Sequence, residues 1–359
     1  GVRFKTRSKE YRGELELIGS NLDPAATFRW VTPDRLIYTF RTAYSSGSGS
    51  AMLGRLQKIA DLNGNEILLT YHQTGSKAGL VQQVTDTSGG VWKFNYDASN
   101  LLTSLTGPSD DPLEKWTITF TYTQANNRNT IATKSITGPA AYTSTVTPAL
   151  ATTWTFAYAA GSTNMSSVTD PRGKQDMRIT YDARGRKTTV MDALSRTTSF
   201  TYNSPAVRKL TTATSSRSVV DTFDRKLRRT STENPAGTTS FEYDEFGNQT
   251  AIVDPRGTRI TMTYDARSNL LTRTVVPLNE VTTWQYNHPL SGGILCNKPT
   301  KVIDQSGWET SYAYDQAGNL LTQSDALGTM VTHVYDAKGL VTSSRDGNNN
   351  DTRFTYRPL

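Results

Sequence analysis

Chemically reactive residues are scarce in this chain of 359 residues. It has one cysteine, Cys296, and three histidines, His72, His288 and His333. A single cysteine excludes an intrachain disulfide framework. His288 and Cys296 lie in one predicted loop but lack a third metal ligand nearby, whereas zinc requires three or four. They also lack an orienting partner for a nucleophilic pair. His333 takes a position that other repeats fill with aromatic residues, which favours packing. We expect no catalytic, cofactor or metal site.

Long apolar runs and charge of one dominant sign are also missing. Apolar residues make up 35% of the chain, and none of their runs approaches the ~20 residues that span a bilayer. The first residues lack the apolar core of a signal peptide, so we expect any export signal to lie outside this chain. The net charge is +7, but lysine and arginine are spread among 32 acidic residues. The one dense basic run, residues 225–229, is typical of a solvated strand face, so we do not expect a nucleic-acid partner.

Regularly spaced aromatic residues dominate what is present. From Tyr181 onward the spacing is 20 to 22 residues, with one step of 28 after Tyr286. Large residues such as Phe200 usually occur two positions before each aromatic residue, and threonine or serine lies between them. This alternation with a period of two predicts β-strands. The predicted ladder of strand-ending aromatic residues comprises Tyr96, Tyr181, Tyr202, Phe223, Tyr243, Tyr264, Tyr286, Tyr314, Tyr335 and Tyr356.

Aspartate directly follows seven of these ten aromatic residues. In four of these places glycine comes three residues after the aspartate, at the turn position where the backbone needs a positive φ. The predicted turn pairs are Asp182 and Gly185, Asp244 and Gly247, Asp315 and Gly318, and Asp336 and Gly339. About ten residues later a second turn follows, so each repeat of about 21 residues is predicted to be one antiparallel hairpin. Because open twisted sheets rarely exceed about ten strands, so many hairpins predict a sheet that winds or folds into layers.

The recurring pattern Tyr-Asp-x-x-Gly-Asn/Arg-Leu, as at 314–320, resembles the rearrangement-hotspot (RHS) or YD-repeat family over roughly residues 56–356. Ser268, Leu227 and Asn100 occur where the turn glycine is expected. The resemblance implies an all-β fold, in which repetitive antiparallel hairpins form a long spiralling sheet and a hollow shell. We divide the chain into an N-terminal β segment, 1–55, and the repeat region, 56–359, with irregular longer hairpins at 56–170 and regular repeats at 171–359. In the irregular part, residues 126–130 and 139–148 are predicted to form loops.

The resemblance also implies a function. Shells of this family enclose a C-terminal toxic domain in secreted bacterial toxins, and related proteins serve in adhesion at cell surfaces. Many toxin members cleave themselves through a segment with Asp-Pro-x-Gly-Leu, which we do not find here, so neither protease nor cargo domain is carried over. We therefore expect a non-enzymatic shell piece of a secreted or cell-surface bacterial protein. Its expected partners are a toxin or cargo polypeptide and the remaining shell segments.

Three alternatives remain open from the residues themselves. The first is a cell-surface module that binds carbohydrate or a protein receptor, for which six tryptophans, Trp308 among them, offer stacking platforms. Core packing better explains Trp154 and Trp284. The second is a hydrolase in the irregular 101–150 region, with Asp110, Asp111 and Glu114 as candidate acids. The third is weak calcium binding by the acidic turns that begin at Asp61 and Asp346, although their spacing departs from a calcium loop.

Overall fold

A computed structural model describes residues 3–5, 14–19, 27–32, 35–41, 54–111, 115–138, 152–202, 209–287 and 297–356. In these ranges the regular elements are β-strands, and no helix occurs. The all-β fold class predicted from the repeat is therefore confirmed. The predictions that concern His288, Cys296, Glu114 and the loop at 139–148 lie outside the described residues.

Thirty strands occur in the described residues, most of them five to seven residues long. They are β1 (Arg3–Lys5), β2 (Glu14–Ile18), β3 (Thr27–Val31), β4 (Ile37–Arg41), β5 (Leu56–Ala60), β6 (Glu66–Tyr71), β7 (Val81–Thr85), β8 (Val91–Tyr96), β9 (Leu102–Gly107), β10 (Trp116–Ala125), β11 (Arg128–Thr137), β12 (Thr153–Tyr158), β13 (Met165–Thr169), β14 (Gln175–Tyr181), β15 (Lys187–Asp192), β16 (Thr197–Tyr202), β17 (Lys209–Ala213), β18 (Ser218–Phe223), β19 (Arg229–Asn234), β20 (Gly237–Tyr243), β21 (Gln249–Val253), β22 (Arg259–Tyr264), β23 (Leu270–Val276), β24 (Glu280–Gln285), β25 (Lys301–Ile303), β26 (Glu309–Tyr314), β27 (Leu320–Asp325), β28 (Gly328–Tyr335), β29 (Val341–Asp346) and β30 (Asp351–Arg353).

The chain divides into two compact units, 1–69 with 86–88 and 240–359, and 70–85 with 89–239. In the first unit, β1 to β6 pair in chain order, and so do β20 to β30. In the second unit, β7 to β19 do the same. Every one of these pairings is antiparallel, as short turns between sequential strands require. The domain boundary predicted at residue 55 stays a prediction.

Most described strand residues are half-buried, and few side chains lose nearly all contact with solvent. The buried apolar ones in the first unit are Val31, Ala60, Ala251 and Tyr314, and those in the second are Tyr71 and Ile179. This is the burial expected of short strands whose sequences alternate threonine with large residues. The low apolar content of the chain is therefore sufficient for its fold.

One loop prediction is wrong. Residues 126–130, expected as loop material, belong to the longest hairpin, in which β10 and β11 pair from Thr117 and Thr137 to Ala125 and Arg128. Its turn has only two residues, Asn126 and Asn127, with φ of 51° and 57°. Two successive residues with positive φ make a type I′ turn, and asparagine tolerates that conformation well. The two asparagines are thus a tight-turn signal.

Candidate functional site

The aspartate of each predicted turn organises the backbone around it. In the turn that begins at Asp182, the Gly185 N–H donates to the Asp182 carbonyl at 2.9 Å, and Oδ1 accepts the N–H groups of Arg184 and Arg186. Oδ2 accepts the Nε–H of Arg186 at 2.8 Å. One carboxylate therefore satisfies two backbone donors and fixes the side chain of the fifth turn residue. This explains why aspartate is used at the first position.

The other predicted turns repeat this geometry. The glycine N–H donates to the aspartate carbonyl at 3.2, 2.9 and 3.0 Å in the turns that begin at Asp244, Asp315 and Asp336. The N–H of the fifth residue donates to Oδ1 at 2.8, 2.8 and 2.9 Å. The fourth residues Gly185, Gly247, Gly318 and Gly339 have φ between 76° and 86°. The same hydrogen bonds and positive φ values therefore occur in all four of these turns.

Turns without glycine at the fourth position keep the same conformation. Asn100, Leu227 and Ser268 have φ of 64°, 60° and 68°, and the N–H of each donates to the carbonyl of the turn aspartate. The strand pairs on either side impose this backbone conformation, and the non-glycine residue bears the strain. For Leu227 little packing offsets this strain, because the side chain is 72% exposed.

Leu227→Gly should therefore raise the free energy of unfolding by about 1 kcal/mol, since glycine adopts a positive φ without steric cost. Chemical denaturation measures it. The control is Leu194→Gly, which replaces another exposed turn leucine, 67% exposed, whose φ is not positive. That change should lower the stability. Equal effects at the two positions would contradict the strain argument.

The tyrosine ladder has a second role, which involves the hydroxyl group. The Tyr335 hydroxyl donates to the Leu320 carbonyl at 2.8 Å, and the Tyr264 and Tyr314 hydroxyls donate to Gln249 and Pro299 at the same distance. Each acceptor lies 15 residues earlier, and Gln249 and Leu320 directly follow the preceding aspartate turn. In these two cases the hydroxyl joins two successive turns. The same bond occurs from Tyr96 to Val81, from Tyr181 to Met165 and from Tyr356 to Val341.

Eight of the ten ladder residues lie at the ends of strands. Tyr96, Tyr181, Tyr202, Phe223, Tyr243, Tyr264, Tyr314 and Tyr335 are each the last residue of a strand. Tyr286 follows β24 by one residue, and Tyr356 lies three residues after β30 and is 50% exposed. Tyr202 carries a different contact, with the Arg186 guanidinium 4.2 Å from its ring centroid. That geometry is a cation–π interaction.

The fold lowers the pKa of several turn aspartates and raises the pKa of several ladder tyrosines. The backbone N–H of Arg186 is the main cause that lowers the pKa of Asp182, burial opposes it, and the Arg186 side chain adds to it. Asp192 and Asp224 have lowered pKa values for the same reasons. Burial raises the pKa of Tyr96 and Tyr181, and for Tyr335 the charge of Asp315 raises it further. The fold therefore favours charged aspartates and neutral tyrosines.

Stability should consequently fall at both ends of the pH range. An aspartate pKa below its unfolded value of about 3.9 contributes stability above pH ~4, which is lost as the pH falls through the folded pKa. A tyrosine pKa above about 10 contributes stability below pH ~10, which is lost as the pH rises. We expect a constant Tm between about pH 5 and 9 and a decrease outside these limits.

Thermal unfolding followed by circular dichroism from pH 2 to 11 measures this profile. The variant Asp182→Asn/Asp192→Asn keeps an oxygen acceptor in each turn but cannot ionise there, so its Tm should fall less steeply in acid. An unchanged acid slope in this variant would contradict the assignment.

In the first unit, turns that are far apart in the sequence touch one another. The Asn319 Nδ2 group donates to Asn63 Oδ1 at 2.6 Å, and Asn63 Nδ2 lies 3.4 Å from Asn319 Oδ1. Asn65 Nδ2 donates to the Lys338 carbonyl at 2.8 Å, and Arg35 Nη1 donates to the Ala317 carbonyl at 2.8 Å. The turn that begins at Asp61 therefore sits against the turns that begin at Asp315 and Asp336. Their amide side chains join the edges of two stretches of hairpins. No sequence signal predicted these pairs.

The acidic residues considered above for hydrolysis and for calcium binding have structural partners. Asp110 pairs with Lys93 at 2.7 Å, and the hydrogen bond from Lys93 lowers the pKa of Asp110. Asp61 accepts hydrogen bonds from the N–H groups of Asn63 and Asn65 and from the Asn65 side chain, as the other turn aspartates do.

The His333 ring packs edge-on against Tyr335, with centroids 6.2 Å apart. Among the described residues no group of three or more His, Cys, Asp or Glu is placed to hold a metal. The described part of the chain also has no helix that is long and apolar enough to cross a membrane.

Comparison with solved structures gives matches of low similarity. A crystal structure of TcdB2-TccC3-TEV has 12% identity and a TM-score of 0.49, and the match covers 90% of this chain and 18% of that one. A Photorhabdus luminescens Tc holotoxin pore has 12% identity and a TM-score of 0.37, with 96% and 24% covered. The chain thus spans about a fifth of the length of these proteins. No curated protein sequence matches it.

Family comparison gives matches in both compact units. The RHS repeat model matches residues 76–112, 223–259, 243–281 and 297–330. These matches contain the turns that begin at Asp97, Asp244, Asp265 and Asp315, whose geometry is described above. In these four stretches the sequence is similar to the RHS repeat.

Proposed function

We propose that this chain is a non-enzymatic wall segment of an RHS shell in a secreted bacterial polymorphic toxin. In this role it encloses or displays a toxin polypeptide together with the remaining segments of the shell. A wall needs a continuous sheet, and it needs a way to join one stretch of hairpins to another at their edges. Neither requirement involves a catalytic residue.

The observation that carries the proposal is the contact between turns in the first unit. The turns lie at the ends of the strands, along the sides of each stretch of hairpins. The Asn63–Asn319 pair joins two of these turns side by side. Such pairing lets a hairpin ribbon extend over a surface without an additional layer behind it. The hydroxyl bonds of the ladder support the same role, since they hold successive turns in register.

A protection experiment tests enclosure. The chain is produced together with the polypeptide that its own gene or the adjacent gene encodes, and the complex is treated with a protease. We expect that the cargo is cleaved much more slowly in the complex than alone, and that electron microscopy of the complex shows a wall around an interior. Cleavage at equal rates, or a compact solid particle, would contradict the proposal.

A variant distinguishes enclosure of the cargo from binding of the cargo without enclosure. Asn63→Ala/Asn319→Ala removes the amide pair but leaves both turn aspartates in place. If the edges of the wall must be joined, protection should decrease although the cargo still copurifies. Asn350→Ala is the matched control, since Asn350 is also the fifth residue of a turn and bonds to Asp346, but is exposed.

A further inference from the structure

Asn63 is followed by Gly64, and this is the one Asn-Gly pair in the sequence. Because glycine has no Cβ, its backbone nitrogen approaches the preceding side chain with less hindrance than that of any other residue. Gly64 is exposed, its φ is 82°, and a Cβ atom placed on it would meet nothing within 4 Å. Solvent therefore reaches the peptide bond that follows Asn63.

An Asn-Gly pair loses ammonia when the side-chain amide is free to turn toward the backbone. The Gly64 nitrogen gives up its proton to solvent and forms a bond to Cγ of Asn63. The Cγ–Nδ2 bond breaks, and Nδ2 takes up a proton from water and leaves as ammonia. A water molecule then opens the cyclic imide at one of its two carbonyl groups. The products are aspartate and isoaspartate, and in isoaspartate the main chain runs through the former side-chain carbon.

The contact between turns in the first unit holds the Asn63 amide away from this reaction. Asn319 Nδ2 donates to Asn63 Oδ1 at 2.6 Å, and Asn63 Nδ2 lies 3.4 Å from Asn319 Oδ1. In addition, a Cβ atom built on Gly339 would lie 2.6 Å from Cγ of Asn63. The carbon that the Gly64 nitrogen must attack therefore packs closely against Gly339. The amide has to leave Asn319 before it turns toward Gly64.

We propose that Asn63 is a deamidation site whose reaction is controlled by its contact with Asn319. The amide is held while the two turns are joined, and Gly64 reacts with it when they separate. The change is one-way, because isoaspartate adds an atom to the main chain of a turn in which the Asn63 and Asn65 N–H groups both donate to Asp61 Oδ1 at 2.9 Å. A turn altered in this way does not rebuild the contact. The inference goes beyond the wall function, since the contact exists whatever the chain encloses.

Peptide mass spectrometry of the full chain tests the proposal. The purified protein is kept at neutral pH, samples are digested, and the fraction of Asn63 converted to aspartate or isoaspartate is followed over time. We expect Asn319→Ala to raise this rate about fivefold, the factor that corresponds to the loss of one hydrogen bond of about 1 kcal/mol. Gly339→Ala, which displaces the Asn63 side chain, should also raise the rate. The parent chain unfolded in urea should react faster than the folded parent.

A matched variant separates loss of the contact from a general loss of stability. Asn248, like Asn319, is the fifth residue of a turn; its Nδ2 group donates to Asp244 Oδ2 at 2.6 Å, and it is buried. Asn248→Ala should therefore destabilise the same unit without changing the rate at Asn63. Equal rates for the parent and Asn319→Ala, an equal rise for Asn248→Ala, or a rate in the folded parent as high as in urea would each overturn the proposal.

Discussion

Gly339→Ala should lower the free energy of unfolding by about 2–3 kcal/mol, more than twice the effect of Gly307→Ala. Both glycines have φ near 80°, so alanine meets the same backbone strain of about 1 kcal/mol at each. Only at Gly339 would the new Cβ lie 2.5 Å from Asn63 Nδ2, whereas the same atom at Gly307 meets nothing within 4 Å. To make room, the Asn63 side chain must leave Asn319, which costs about 1 kcal/mol per lost hydrogen bond.

Urea unfolding measured for both variants checks this result. The double variant Gly339→Ala/Asn63→Ala isolates the cause, because the shortened side chain no longer collides with the new methyl group. Its loss of stability should be smaller than the sum of the two single losses. If the losses add, or if Gly307→Ala is as damaging as Gly339→Ala, the close approach of the two turns does not control stability.

Asp170→Ala is expected to be the most damaging change in the turns. The side chain is 4% exposed, and its Oδ1 accepts the N–H groups of Arg172 and Lys174 at 2.9 and 2.8 Å. Arg172 also donates to Oδ2 at 2.8 Å. Burial alone would raise the pKa of Asp170, but the Lys174 N–H and the Arg172 side chain outweigh it and lower the pKa. Alanine would leave backbone donors without an acceptor in a place that water does not easily reach.

Two matched variants test whether burial of the Asp170 carboxylate causes the loss of stability. Asp170→Asn keeps an oxygen for the backbone donors and should lower the Tm less than Asp170→Ala does. Asp346→Ala removes the same bonds, those to Asn348 and Asn350, from an exposed turn where water replaces them. We therefore expect a Tm decrease for Asp170→Ala several times that for Asp346→Ala. Equal decreases would show that burial of the carboxylate is unimportant.

The sequence predicts the ladder because two local signals agree in several of the repeats. A residue such as Tyr335 ends a strand with alternating polarity, and Asp336 and Gly339 then supply turn chemistry at fixed positions. Both signals act over a few residues and need no knowledge of distant contacts. At Leu227 the turn glycine is missing, but the neighbouring strand pairs still enforce the turn. The regular spacing of the repeats therefore predicts the turn even there.

Other features were invisible in the sequence because their causes are not local. The bond from the Tyr335 hydroxyl to the Leu320 carbonyl depends on which edge of the sheet both residues reach. The turn at Asn126 and Asn127 is local, but two asparagines in an irregular stretch are as typical of a loop as of two successive positive φ values.

The sequence by itself determined the hairpin, its period and its turns, because strand alternation and aspartate–glycine corners act within about 21 residues. Only the tertiary structure decided which turns meet, since Asn63 and Asn319 are brought together by the paths of all the strands between them. The sequence does not show which group a side-chain amide will bond to, because the fold of the backbone decides which groups come together. That is also why Gly339 appears in the sequence as an ordinary turn glycine, whereas in the structure the Asn63 side chain leaves no room there for a Cβ atom.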